Sequence, residues 1–165
     1  MDYGLLLEGM LLIITLRKDK VILFWDCSDL TKPLNKITLK EEIISVSYNP
    51  ISLTLLAISR SQACLYKDTE KTNAKIKLNF NATCCCWTSD GLRCAIGYEN
   101  GYISIRDKDN DKEIKNIVLN GKEQERIWSI SFSATKFKKK DYVMLVGTWE
   151  KNLYLVDVKF TRVIN

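Results

Sequence analysis

The chain has no histidine, two prolines and seven glycines in 165 residues. Without histidine the side chain most often used for general acid–base catalysis is missing, and mixed cysteine–histidine zinc ligation is excluded. So few glycines and prolines rule out a collagen-like chain and a flexible Gly/Pro linker. No run of about 18 apolar residues occurs, so no segment reads as a membrane-spanning helix. The apolar stretch Met1–Leu16 is interrupted by Asp2 and Glu8. It carries neither a basic leading region nor a small-residue cleavage pattern, so it does not read as a signal peptide, and the expected compartment is the reducing cytoplasm. The Gly-rich loops that cradle phosphates, G-x-x-x-x-G-K-[ST] and G-x-G-x-x-G, are also missing.

What is present suits one packed domain: 46% hydrophobic and 27% charged residues, close to the globular average. The net charge of +5 permits an acidic partner without requiring nucleic acid. Six cysteines could suggest a disulfide scaffold, but Cys84, Cys85 and Cys86 are consecutive, no C-x-x-C pair exists, and Cys27, Cys64 and Cys94 lie within apolar runs. They read as small core hydrophobes. Strand alternation places Cys84 and Cys86 on one face and Cys85 on the other. Apolar surroundings beside Trp87 raise a thiol pKa, which argues against a nucleophile. The alternating carboxylates Asp107, Asp109 and Asp111 lack the glycine and the distal glutamate of a calcium loop. The chain is therefore expected to be no enzyme, with no catalytic residue, cofactor or metal assigned.

A repeat organises the chain. Strand-like segments close at Trp25, Tyr66, Arg106 and Val156, spaced by 41, 40 and 50 residues. A polar turn precedes each, and before each turn lies another apolar run: Leu11–Leu16, Leu53–Ile58, Leu92–Ile96 and Tyr142–Val146. Three further strands lie upstream, Ile43–Asn49, Thr83–Thr88 and Ile127–Ser133, and three weaker ones before those, Lys36–Leu39, Ala74–Phe80 and Glu113–Leu119. Period-two alternation and β-branched or aromatic enrichment mark strands buried on one face. Four short strands about every 40 residues, one set closing on the Trp25-Asp26 pair, are the pattern of WD-repeat propeller blades. The expected fold is all-β, a single partial WD-repeat β-propeller over residues 1–165 with three four-stranded blades plus part of a fourth. The blade units run approximately over 1–27 (partial), 36–67, 74–107 and 113–158. The Gly-His dipeptide of well-formed WD repeats is missing, so each blade is expected to rely more on apolar packing. A closed ring needs roughly four to eight blades, so the chain reads as an arc with open apolar faces that invite association.

Some segments are more specific. Ile44–Leu53 (ISVSYNPISL), Cys84–Leu92 (CCCWTSDGL), Asn100–Asp109 (NGYISIRDKD), Ile127–Ala134 (IWSISFSA) and Met144–Val158 (MLVGTWEKNLYLVDV) occur in that order. Together they resemble the amino-terminal WD-repeat propeller of the intraflagellar transport protein 122 family, subunits of intraflagellar transport complex A. The resemblance implies a non-catalytic interaction scaffold in retrograde ciliary transport, ciliary cargo entry and cilium assembly. It implies other complex A subunits as partners, and the cytoplasm, cilium and ciliary base as location. It does not imply membrane insertion.

Candidate contact residues follow from charge and shape. Lys136, Lys138, Lys139 and Lys140 surround Phe137 in a loop between two strands, and read either as a solubilising loop or as a rim that meets an acidic partner. Trp25, Trp87, Trp128 and Trp149 are expected to pack between blades. Tyr98 and Trp149, next to turns, are candidates to reach a rim and touch a partner. Two other readings stay open: a WD-repeat adaptor of another cytoplasmic assembly, such as a ubiquitin ligase or vesicle coat, and a nucleic-acid-binding module, which the modest charge disfavours.

Overall fold

The computed structural model describes residues 2–7, 10–17, 20–26, 28–52, 54–67, 70–108, 112–119, 125–134, 142–157 and 162–164, with side chains left aside at 2–17, 67, 70–75 and 162–164. Among the described residues sixteen strands form four antiparallel four-stranded sheets, each a meander in chain order. The first holds β1 (Asp2–Leu7), β2 (Met10–Arg17), β3 (Val21–Asp26) and β4 (Asn35–Thr38). The second holds β5 (Ser45–Tyr48), β6 (Thr54–Ile58), β7 (Gln62–Lys67) and β8 (Glu70–Lys77). The third holds β9 (Ala82–Trp87), β10 (Arg93–Tyr98), β11 (Tyr102–Asp107) and β12 (Glu113–Val118). The fourth holds β13 (Ile127–Phe132), β14 (Val143–Thr148), β15 (Leu153–Asp157) and β16 (Arg162–Ile164). The expected all-β partial propeller is what the chain forms.

The blade boundaries differ from expectation by one strand. Each weak strand, placed at the start of a unit at 36, 74 and 113, closes the preceding sheet instead: β4 pairs β3, β8 pairs β7 and β12 pairs β11. A hairpin connects each such strand to its neighbour in the chain, and a short hairpin needs no crossover. The residue after each weak strand, Leu39, Leu78 or Leu119, then packs into the next interface. The repeating sequence unit therefore straddles two sheets. The first sheet also holds four strands rather than a remnant of two, because β1 pairs β2 ahead of the recognised segment.

Three apolar seams join the sheets in chain order. Ile22 and Phe24 of the first meet Val46, Leu55, Ala57 and Tyr66 of the second. Leu56, Ile58 and Leu65 of the second meet Cys85, Trp87 and Ile96 of the third. Ile103, Ile105 and Ile117 of the third meet Met144, Val146 and Val156 of the fourth. In the second and third sheets side chains therefore alternate between two seams along the inner strands, as Cys94, Ala95 and Ile96 do. The first strands β5 and β13 both lie against β9, which gives the radial arrangement of blades. Each fully buried Ile or Leu contributes about 1.5–3 kcal/mol, so these seams outweigh the single hydrogen bonds between sheets, at about 0.5–1.5 kcal/mol each.

Packing does not act alone where histidine is missing. In three sheets a polar side chain from the incoming connection clasps the turn between the second and third strands. Glu41 accepts hydrogen bonds from Ser59 Oγ and Gln62 Nε2. Asn81 donates to Glu99 Oε2 at 3.0 Å. Glu125 accepts from Asn152 Nδ2 of the turn at 3.4 Å and from the Tyr154 hydroxyl of β15 at 2.8 Å.

Candidate interaction surface

At the start of the fourth sheet two tryptophans lie on the surface. Trp149 occupies the β14–β15 turn, where Lys151 takes a positive φ of 67° and Trp149 N donates to the Arg126 carbonyl at 2.9 Å. Trp128 follows the first residue of β13. Their rings meet edge-on with centroids 4.8 Å apart, and they remain 55% and 59% exposed. The Arg126 guanidinium lies 5.6 Å from the Trp149 ring centroid and reaches back to Glu99 of the third sheet at 2.9 Å. An aromatic pair is worth about 0.5–1.5 kcal/mol beyond area burial, and an exposed ion pair about 0.2–1 kcal/mol. The cluster is thus held in place while most of its apolar surface stays free to be buried by a partner.

The expectation that Trp128 and Trp149 pack between blades is corrected: both are more than half exposed. Ile127 and Ile130 both face the third sheet, three positions apart, which strict alternation does not permit. The register shift between Ile127 and Ser129 absorbs the extra residue, and such a bulge re-aims side chains. Trp128 is turned outward as a result. The pattern Ile127-Trp128-Ser129-Ile130 carried that signal. Of the other tryptophans, Trp87 is buried and its indole donates to the Ser47 carbonyl across the seam at 3.1 Å, and Trp25 is half-buried.

The remaining candidates are placed differently. Tyr98 is 3% exposed. It continues the Cys94–Ile96 face of β10 into the seam with the second sheet, and its hydroxyl pairs with Ser104 Oγ at 2.9 Å, so it does not reach the rim. Lys136, Lys138, Lys139 and Lys140 lie outside the described residues. The flanking residues Ala134 and Tyr142 belong to the β13–β14 end of the sheet, opposite the β14–β15 turn that holds Trp149.

The outer face of the fourth sheet extends the apolar surface. Leu145 pairs Leu155 and Gly147 pairs Leu153, and these leucines are 36–69% exposed. In the third sheet the matching registers hold Ala95, Ile105 and Ile103, all buried beneath the fourth sheet. The fourth sheet thus presents to solvent the face that its neighbour uses for stacking.

Cys84, Cys85 and Cys94 are buried, as expected of core residues, Cys64 and Cys86 are half-buried, and Cys27 lies outside the described residues. Cys84 packs toward the fourth sheet and Cys85 toward the second. Burial pushes the Cys84 thiol up to about 11 and raises Cys85 and Cys86 as well. Among the described residues no group of His, Cys, Asp or Glu is arranged to hold a metal, and no helix is long and apolar enough to cross a membrane.

Stacked four-stranded meanders joined by apolar seams, with exposed aromatic turns, define a β-propeller arc of the WD-repeat class. No protein-family model matches the chain. The chain belongs to the intraflagellar transport protein 122 family. It is 34% identical over 135 residues to the intraflagellar transport protein 122 homolog of Mus musculus and 33% identical over 135 residues to that of Danio rerio, in both cases 82% of this chain. It is 36% identical over 115 residues, 70% of this chain, to the homolog of Homo sapiens. The family resemblance carried by the motifs therefore holds. The chain spans 9–11% of the length of these relatives.

Proposed function

We propose that the chain acts as a non-catalytic scaffold within an intraflagellar transport complex A assembly. The similarity over 82% of its length to intraflagellar transport protein 122 homologs carries this reading. Its mechanism is geometric: stacked sheets hold turns rigid, and the turns meet partners. Trp128, Trp149 and Arg126 form the central contact, because exposed tryptophan and arginine are the side chains that most often dominate protein interfaces. The aliphatic face of Leu145, Leu153 and Leu155 fits a sheet of the same repeat stacked on it. Lys136, Lys138, Lys139 and Lys140 steer acidic partner surfaces. The location that follows is the cytoplasm, the ciliary base and the cilium, in retrograde transport, cargo entry and cilium assembly.

Affinity purification of the tagged protein from ciliated cells tests the reading. Co-purification with the other complex A subunits, and enrichment at the ciliary base, are expected. Recovery with ubiquitin-ligase or coat subunits and no ciliary enrichment would replace it with the cytoplasmic adaptor reading.

A further inference from the structure

Between the first and second sheets lies a cavity of about 300 Å³ lined by Ile37, Leu39, Ile43, Ala57, Cys64 and Tyr66, with Glu41, Ser59 and Gln62 also on its wall. The ladder registers distinguish this seam from the other two. Ala57 pairs Cys64, Ile96 pairs Ser104, and Val146 pairs Tyr154. These pairs occupy one and the same place in the second, third and fourth sheets. In the third sheet the place is filled by Ile96 and by the Tyr98 hydroxyl on Ser104. In the fourth it is filled by Val146 and the Tyr154 ring, whose hydroxyl bonds Glu125 at 2.8 Å. The second sheet has only Ala57 and Cys64 there.

The polar frame of the fourth sheet is nonetheless repeated in the second. Glu125 is held by Asn152 Nδ2 at 3.4 Å, and Glu41 by Gln62 Nε2 at 3.0 Å. Both carboxylates belong to the connection entering their sheet, two residues before an isoleucine that packs in the seam, Ile127 or Ile43. What the second sheet lacks is the phenol ring between them. A second observation points the same way. Tyr66 is 1% exposed, lines the cavity, and its hydroxyl, with only the weakly bonding Cys64 thiol beside it, makes no hydrogen bond to an oxygen or nitrogen among the described residues. A buried hydroxyl without such a partner is costly, and a ligand in the cavity would relieve it.

We propose that this cavity binds a neutral phenol ring, with the aliphatic walls around the ring and the phenolic hydroxyl donating to the Glu41 carboxylate, as Tyr154 donates to Glu125. A carboxylate offers about four acceptor sites, so Glu41 keeps capacity beyond the bonds from Ser59, Ser61 and Gln62, and it disfavours an anionic ligand. The site is independent of any transport role.

The test uses p-cresol, the side chain of tyrosine as a free molecule, followed by isothermal titration calorimetry on the whole chain. One-site binding is expected, with toluene, which lacks the donor, about tenfold weaker or worse. Cys64→Tyr supplies the missing ring from the protein itself and should abolish p-cresol binding. Ala57→Ile, which copies Ile96, should do the same if the first variant fails to fold. Capped Ala-Tyr-Ala against Ala-Phe-Ala separates the sources. Tyrosine-selective peptide binding assigns the site to a partner's tyrosine, and p-cresol binding alone assigns it to a small phenol. No p-cresol binding at millimolar concentration, equal affinity for toluene, or undiminished binding in a folded filled variant would overturn the proposal.

Discussion

The Asn49 side-chain amide in the β5–β6 turn donates to the Gly91 carbonyl in the β9–β10 turn at 2.7 Å, bridging the second and third sheets. Its oxygen meanwhile accepts from the Ile51 and Ser52 amides at 2.9 and 3.0 Å. Asn49 is fully buried, so one side chain orders its own turn and ties it to the neighbouring sheet. Asn49→Ala leaves buried groups unpaired, which costs about 1–3 kcal/mol each, and urea melts should show a loss of about 2–3 kcal/mol. Asn49→Asp keeps the acceptor for the turn but points a carboxylate at a carbonyl, and should cost at least as much. A loss below about 0.5 kcal/mol for the alanine variant would mean that water replaces the bridge.

Two glycines at matching places on the middle strands should respond differently to alanine. A Cβ on Gly97 would meet Ile127 Cγ2 at 2.6 Å, Cys84 Sγ at 2.9 Å and Ile130 Cδ1 at 3.0 Å, within the packed seam to the fourth sheet. On Gly147 it would meet Ser129 Oγ at 2.9 Å and nothing else close. Overpacking a filled core costs about 1–3 kcal/mol, whereas a serine hydroxyl on an exposed face can rotate away. Gly97→Ala should lower stability by about 2 kcal/mol or more, and Gly147→Ala by less than half as much. Equal losses in denaturant melts would contradict the close approach of the third and fourth sheets.

The pattern of strands was readable before the structure because period-two alternation depends only on which face is buried. The grouping of strands into sheets was not. Leu39, Leu78 and Leu119 pack forward into the next seam while the strand before each pairs backward, so apolar pattern and hydrogen bonding place the same few residues in different units. The exposed pair was half legible: Trp149 sits in a turn, but Trp128 depended on a bulge between Ile127 and Ser129, which alternation alone hides. Tyr98 misled because its neighbours Glu99 and Asn100 are polar, while its own register with Cys94 and Ile96 places it inside. The phenol-shaped gap at Ala57 and Cys64 needed the ladder registers of three sheets, which no single stretch of sequence contains.

The thiols should be inert in the folded protein. Burial raises Cys84 to about 11 and holds Cys85 and Cys86 above the ordinary thiol value. At pH 8 a thiol of pKa about 11 is thiolate in roughly one molecule in a thousand, and the thiolate is the reactive form. Reaction of these three with a disulfide reagent should therefore be slow in buffer and rapid in urea. Rapid native labelling of Cys85, mapped by mass spectrometry, would place it outside the seam between the second and third sheets.

Acid should weaken the turn that follows β9. Burial alone would raise the Asp90 pKa, but hydrogen bonds from Thr88 Oγ1, the Leu92 amide and Tyr142, with Arg93 nearby, more than offset it and leave the value lowered. A carboxylate with a depressed folded pKa stabilises the fold above its unfolded value, near 3.9, and loses that contribution as pH falls through the folded value. The Tm difference between the wild type and Asp90→Asn should be largest at pH 5–7 and shrink below about pH 4. A difference independent of pH would assign the effect to hydrogen bonding alone.

The tryptophan pair separates binding from folding. Trp128 and Trp149 are both more than half exposed, so truncating them removes little buried area. Trp149→Ala should cost no more than about 1.5 kcal/mol of stability, the worth of the edge-on ring contact. If the pair is the central partner contact, the same change should weaken capture of complex A subunits by at least about tenfold, the scale of an interface hot spot at 2 kcal/mol or more. Replacing Lys136, Lys138, Lys139 and Lys140 by glutamine removes charge rather than apolar contact, so its effect should appear in the salt dependence of capture instead. Capture unchanged by Trp149→Ala in a folded protein would move the contact to the leucine face of β14 and β15, where Leu153→Lys is the variant that would then abolish it.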